Sequence, residues 1–304
     1  MPTRPADLAH TLDAVVPGRV RMEEPLARPT SFRIGGPAEV LVAPDTTDEL
    51  AAIVRVATAA GASLTLLGAG SNVLVGDGGV RGVVVKLGRG FRRVAWRGEC
   101  VEAGAAVQLG RLARDAATRG LAGLEYAEGI PGTVGGALFM NAGAYGGEIA
   151  DVVDVVEGVG ADGVVARLER GGLAFTYRRT ALPAGFVVTV VVFRLRAEGG
   201  DAVQARLDQA RTRRIASQPH GSANAGSIFK NPPGDYAGRL VELAGLKGAR
   251  VGGARISERH GNFIVNEGDA RAADVQALMQ EAQRVVWERS GVWLEPEVRL
   301  VGSW

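Results

Sequence analysis

The chain has 304 residues, 46% of them apolar, with 35 basic and 33 acidic side chains and a formal net charge of +2. That length admits two or three domains with sizeable cores, and so small a charge excess argues against a nucleic-acid binder, which concentrates Lys and Arg on one face. No apolar run approaches the roughly 18 to 20 residues of a membrane span. No secretory leader pattern is visible at the N-terminus, so a cytoplasmic protein is expected. The single Cys100 cannot form an internal disulfide, and His10, His220 and His260 are too scattered for a zinc motif, which argues against metal-assisted hydrolysis.

After a proline-rich entry, Glu39 to Ala43 reads as a strand, and Thr46-x-x-Glu49 is a capping box for a helix from Leu50 to Ala60 that Gly61 ends. Runs from Leu64 to Leu67 and from Val83 to Leu87 complete a small β-α-β-like unit with a glycine-rich loop between them, and residues 1–87 are taken as a first domain. Residues 88–210 form a second, with strands at Cys100 to Glu102, Val152 to Val159, Val164 to Leu168 and Val187 to Leu195 and one helix from Leu109 to Arg119 ended by Gly120. Cys100 is expected as a core thiol on its strand. A helix from Ala202 to Ala216 carries Arg211-Thr212-Arg213-Arg214, which is either a solvated helix end or a cluster facing a ligand phosphate. Residues 211–304 are a third domain with a helix near Arg239 to Ala244, a strand from Phe263 to Asn266, an amphipathic helix from Ala272 to Ser290 and a final strand from Val292 to Val301. The class is α+β.

Several segments carry chemistry. Gly68-Ala69-Gly70-Ser71-Asn72 follows a strand, and its backbone N–H groups suit a diphosphate where no Cβ intrudes, although a tight turn accounts for the same pattern. It lacks the third glycine and the later acidic residue of the dinucleotide fingerprint. A second loop, Gly129-Ile130-Pro131-Gly132-Thr133-Val134-Gly135-Gly136, is followed by Asn141-Ala142-Gly143-Ala144-Tyr145-Gly146, and the two together suggest a long ligand against exposed backbone. Tyr177-Arg178 offers a guanidinium for a carboxylate, or merely a surface Arg stacked on a ring. Asn224 to Pro232 packs small residues, a hydroxyl (Ser227), a cation (Lys230) and an amide (Asn231) into nine positions, as an active-site loop would. Trp293 to Leu300 alternates, with Leu294, Val298 and Leu300 on one face and Glu295, Glu297 and Arg299 on the other; pattern alone favours an edge strand with a salt-bridged solvent face, and Pro296 supports the edge.

In this order, over nearly the whole chain, the six segments resemble the UDP-N-acetylenolpyruvoylglucosamine reductases, flavoenzymes of peptidoglycan precursor synthesis. The resemblance implies an FAD-binding fold of the vanillyl-alcohol oxidase (PCMH) type in two subdomains, residues 1–87 and 88–210, plus a C-terminal α+β substrate domain. It implies FAD against Gly68, Ala69, Gly70, Ser71 and Asn72 and against Gly129, Ile130, Pro131, Gly132, Thr133, Gly135 and Gly136. No His or Cys stands between Gly68 and Gly79 to attach the flavin covalently, so noncovalent binding is expected.

Carried over by motif, Ser227 matches the family's proton donor, Arg178 and Glu297 its other catalytic residues, and Tyr145, Tyr177, Lys230 and Asn231 its substrate contacts. NADPH would be the hydride donor and UDP-N-acetylglucosamine enolpyruvate the substrate, with no nucleic acid or membrane insertion. Arg178 would hold the substrate carboxylate, Glu297 would donate to it if its pKa is raised, and Ser227 would protonate the carbanion. Only eight residues separate Arg178 from Val187, which matches the shorter, type II branch of the family. Ser217-Gln218-Pro219 lacks the basic residue expected before the proline, leaving Arg213, Arg214 or Lys230 to face the UDP diphosphate. An oxidase of the same superfamily or a noncatalytic flavin-binding module are the competing readings, separated by anaerobic addition of NADPH and then of the enolpyruvyl substrate.

Overall fold

The computed structural model describes residues 4–304, and the chain falls into two compact units. The first comprises Met1–Glu23, Glu39–Ala69 and Gly82–Arg213; the second comprises Glu24–Ala38, Gly70–Arg81 and Arg214–Trp304.

The first unit opens with a helix over Pro5–Val15, unforeseen in the proline-rich entry. Proline sits at its start, where the missing N–H costs nothing, and Leu8, Ala9 and Leu12 recur at helical spacing and are buried. The next helix, Thr47–Ala59, has the expected capping box: Thr46 Oγ1 accepts from the Glu49 N–H at 3.2 Å and Glu49 Oε2 from the Thr46 N–H at 3.3 Å. Gly61 follows in the left-handed region at φ 64°.

The centre of this unit is a five-stranded antiparallel sheet in the order Val165–Glu169, Val153–Val159, Val187–Arg194, Cys100–Gly104 and Val94–Arg97. Val191 and Phe193 of its middle strand pack with Val101 and Ala103 and with Leu109 and Leu112 of the Leu109–Ala117 helix. Cys100 is only half-buried on its strand, so the expected core thiol faces partly outward. A separate two-stranded hairpin, Ala174–Thr176 with Arg179–Ala181, carries Tyr177 and Arg178 as its loop.

The second unit has a four-stranded antiparallel sheet in the order Ala223–Asn224, Ile264–Asn266, Ala254–Ile256 and Arg250–Val251. The Ala272–Ser290 helix closes with Gly291 at φ 67° and buries Val275, Leu278, Met279, Ala282 and Val286 in a core shared with Phe32, Leu74 and Leu294. The expected final strand is reduced to Arg299–Val301, which pairs in parallel with Val73–Val75. Upstream of it only Pro296 is bridged, to Phe229, because a residue without an N–H cannot sustain a ladder. Leu294 and Val298 are buried as the alternation requires, but Leu300 is 42% exposed.

Candidate active site

Two of the predicted cofactor loops meet inside the first unit. A Cβ on Gly68 would lie 2.9 Å from Thr133 Oγ1, so the backbone after the Leu64–Leu66 strand lies against the second glycine loop. That loop is fixed by its own backbone: the Leu109 N–H donates to the Gly132 carbonyl at 3.1 Å, and Gly129 and Gly132 sit at φ 72° and 140°, where only glycine is at ease. Buried Glu128 anchors the turn through Arg114 Nη1 at 2.9 Å. Gly132 is followed not by open loop but by a short helix, Val134–Phe139, with Thr133 at its N-cap. A Cβ on Gly135 would meet Ala105 Cβ at 2.9 Å, which explains that glycine by packing. Gly136 differs: it is exposed, and its nearest neighbour to an added Cβ is Thr133 Oγ1 at 3.6 Å. Gly68, Gly129, Pro131 and Gly136 thus present exposed backbone on one unit, while Ala69, Ile130 and Gly132 are partly covered and Thr133 is buried. Pro131 has no N–H, and those of Ile130, Val134 and Gly135 donate to the Ala127, Val107 and Ala105 carbonyls, so what this surface offers an extended dinucleotide such as FAD is close approach to glycine backbone with few side chains in the way.

The rest of the first loop lies in the second unit and has protein partners. A Cβ at Gly70, where φ is 63°, would strike the Pro29 carbonyl at 2.8 Å and Thr30 Cα at 2.9 Å, so a tight turn alone requires this glycine. Ser71 is half-buried, and Asn72 Nδ2 donates to the Glu297 carbonyl at 3.1 Å while the Arg299 N–H donates to the Asn72 carbonyl at 3.0 Å.

Tyr145 and Arg178 share a conformation that side chains avoid. Tyr145 and Gly146, at φ 54° and 90°, are the two loop residues of the hairpin that pairs Ala144 with Gly147. Positive φ at both positions is the pattern that ordinarily selects Asn-Gly, and here it holds a tyrosine 44% exposed. Arg178, at φ 58°, is the second residue of the Tyr177-Arg178 loop closed by the Thr176–Arg179 pair, and its guanidinium stacks on Tyr177 at 4.8 Å. The ring contact of the plainer reading is therefore present, on a backbone that packing must enforce.

The segments that carry Ser227 and Glu297 pair in the second unit. The Ser227 loop turns at Gly226, φ 74°, whose N–H donates to Asn224 Oδ1 at 2.9 Å. The Glu297 N–H then donates to the Ile228 carbonyl at 2.8 Å and the Lys230 N–H to the Glu295 carbonyl at 2.8 Å, which places Glu297 opposite Ile228, the residue after Ser227. Lys230 Nζ pairs with Glu295 Oε1 at 2.5 Å, while exposed Asn231 accepts from the Ala237 N–H at 3.1 Å, capping the Ala237–Leu243 helix.

Asn262, absent from the sequence-based site, closes this segment from the other side. It is buried, and its side-chain amide pairs with both main-chain groups of Phe229, accepting from N–H at 2.9 Å and donating to C=O at 2.8 Å. Its own N–H donates to His260 Nδ1 at 3.1 Å. Burial, reinforced by Lys247, holds the His260 pKa below its ordinary value, so the ring stays neutral and able to accept. The only sequence signal for Asn262 is an amide between Gly261 and Phe263, which does not reveal its partner.

Residues 38–169 match the family of FAD binding domains, and residues 218–301 match the family described as UDP-N-acetylenolpyruvoylglucosamine reductase, C-terminal domain. The chain is 48% identical over 298 residues to UDP-N-acetylenolpyruvoylglucosamine reductase 2 of Symbiobacterium thermophilum, covering 97% of each chain. It is 47% identical over 289 residues to the reductase of Acidiphilium cryptum, covering 94% of this chain and 93% of that one. A crystal structure of UDP-N-acetylenolpyruvylglucosamine reductase (MurB) from Thermus caldophilus is similar with a TM-score of 0.81 at 40% identity, over 93% of this chain and 98% of that one.

Proposed function

The chain belongs to the UDP-N-acetylenolpyruvoylglucosamine reductase family, and we propose from that premise how its own residues divide the reaction. It is an FAD-dependent oxidoreductase of the PCMH-type fold that reduces UDP-N-acetylglucosamine enolpyruvate to UDP-N-acetylmuramate in peptidoglycan precursor synthesis, with NADPH as donor. The chemistry supplied by bound FAD is relay of hydride from NADPH to the enolpyruvyl methylene carbon. The backbone of Gly68 and Ala69 and of residues 129–136 would hold it.

Hydride addition converts the methylene to a methyl group and moves the C=C electron pair onto the carbon bearing the ether oxygen and the carboxylate. Arg178 binds that carboxylate with its planar fork of donors. The Glu297 carboxyl is assigned to the carboxylate oxygen that gains charge, to which it donates a hydrogen bond when it carries a proton. Ser227 gives its hydroxyl proton to the carbanion, which yields the lactyl ether, and recovers a proton from solvent. A hydroxyl is a weak acid, and it serves here because the base it meets is strong. Tyr145, Tyr177, Lys230 and Asn231 position the sugar nucleotide. We assign FAD binding to the part of the chain before about residue 210, with a subdivision near residue 87, and substrate binding to residues 211–304, while by compactness residues 24–38 and 70–81 group with 214–304. No helix among the described residues is long and apolar enough to cross a membrane. A nucleotide-sugar substrate and a nicotinamide donor accord with the cytoplasmic location that composition suggests.

The observation that supports the Ser227 and Glu297 assignments is the 2.8 Å hydrogen bond from the Glu297 N–H to the Ile228 carbonyl, which pairs the Glu297 segment with the segment that follows Ser227 in one unit. The test is anaerobic. Ser227→Ala should retain FAD and bleach with NADPH, then fail to recover its flavin absorbance when substrate is added. Recovery at the wild-type rate would remove Ser227 from the mechanism, and wild-type enzyme that bleaches but is not reoxidised by this substrate would overturn the function.

A further inference from the structure

Asn141 sits where three pieces of local structure meet in the first unit. It is fully buried and has φ 41°. It follows the C-cap of the Val134–Phe139 helix, where its N–H donates to the Leu138 carbonyl at 3.0 Å and the Ala142 N–H to the Ala137 carbonyl at 2.8 Å. This bond pair is a Schellman closure with a left-handed asparagine. Glycine would serve that purpose as well, so backbone geometry does not account for the side chain.

The side chain has other partners. Asn141 Nδ2 donates to the Thr176 carbonyl at 3.1 Å, and Oδ1 accepts from the Ala150 N–H at 3.0 Å. Thr176 is the residue before Tyr177-Arg178, and Ala150 follows the hairpin that presents Tyr145. The other arm of the Arg178 hairpin is tied to the same helix end, since buried Thr180 Oγ1 donates to the Leu138 carbonyl. This hairpin has three residue pairs and no third strand, too little to fix its own orientation.

We propose that Asn141, supported by Thr180, is a positioning residue that holds the strained Arg178 turn, and with it the carboxylate-binding guanidinium, in working geometry relative to the Tyr145 turn. The inference rests on the assignment of Arg178 to the substrate carboxylate. Asn141→Gly keeps the left-handed backbone and removes only the amide; Thr180→Val removes the second tie at nearly constant volume.

Stopped-flow measurement of the two half-reactions tests this. Flavin reduction by NADPH should stay within about twofold of wild type in both variants, and reoxidation by substrate should slow on the order of tenfold or more, the scale of a misplaced reacting group. In an Arg178→Ala background the same substitutions should add less than about twofold, because what they position is gone. Wild-type reoxidation in both variants, equal slowing of both half-reactions, or undiminished slowing in the Arg178→Ala background each overturns the proposal. Loss of FAD from both variants does so too, by making the ties a folding requirement. Wild-type reoxidation by Arg178→Ala itself sinks the underlying assignment instead, an outcome read from a different variant.

Discussion

The two units immobilise their candidate functional residues by opposite means. In the first, Tyr145 and Arg178 stand on two-residue turns in left-handed backbone, held by side-chain bonds from elsewhere in the unit. In the second, Ser227 and Glu297 stand outside the left-handed region, on segments fixed by main-chain hydrogen bonds between neighbours and by the amide of Asn262. The difference teaches where sequence change is tolerated. A strained turn can be relieved by substitution at the functional residue itself, whereas a register-fixed segment is disturbed only through its partners.

The largest effect should come from Glu297. Glu297→Gln leaves the main-chain register intact, and should slow substrate reduction by about 10² or more while keeping substrate affinity within a small factor, as expected for loss of one charge-stabilising donor. Glu295→Gln is the control, since its side chain is 67% exposed and forms a surface pair with Lys230, an interaction of little energetic weight. Equal losses at both positions, or none, would return the segment to a salt-bridged edge strand.

Next in size is Asn262→Leu. It leaves the Phe229 N–H and C=O buried without partners and should destabilise the second unit by about 2–4 kcal/mol, read by denaturant unfolding. A stability unchanged from wild type would show that main-chain pairing alone holds the Ser227 segment.

Gly136→Val probes the glycine surface of the first unit where the protein leaves room for a side chain. The fold should survive, as circular dichroism would report, while FAD per chain in the purified protein drops severalfold. Full flavin content would mean that this face does not meet the cofactor. Gly70 and Gly132 are poorer probes, because positive φ strains any replacement there.

Tyr145→Asn should do the reverse of most substitutions at a functional position. Relief of left-handed strain should raise stability by about 1 kcal/mol, while KM for the sugar nucleotide rises. A destabilised variant would show that ring packing outweighs the strain.

The smallest effect is a pH dependence confined to the second unit. His260 is neutral above its ordinary value of 6.5 in folded and unfolded chains alike. Below 6.5 the unfolded chain takes up the proton first, because the folded value is depressed, so stability is lost as pH falls toward that lower value. Unfolding titrations between pH 7 and 5 should show this decline in wild type and a shallower one in His260→Gln; parallel curves would assign the decline to other groups.

Much of this was legible along the chain because its causes are local. The Thr46–Glu49 capping box, the Gly61 and Gly120 stops, the apolar stripe of the Ala272–Ser290 helix and four strands of the five-stranded sheet follow from neighbouring side chains and their period, whereas the edge strand Val94–Arg97 carried no such signal. The Pro5–Val15 helix was hidden because its first residues read as loop composition. Motif resemblance supplied Arg178, Ser227 and Glu297 as a set, but pattern alone left Glu297 a solvent-facing residue.

What only the tertiary structure decided are pairings between residues far apart in sequence. The final strand forms at Arg299–Val301 because its partner there is Val73–Val75, across more than two hundred positions of chain. Gly70 is glycine because Pro29 and Thr30 press against it, and Asn141 and Asn262 matter because of carbonyls and N–H groups 35 and 33 residues away. An amide side chain has one donor end and one acceptor end that any backbone satisfies equally well, so its identity does not encode its partner; only the packed chain, which must leave no buried polar group unmet, makes that choice.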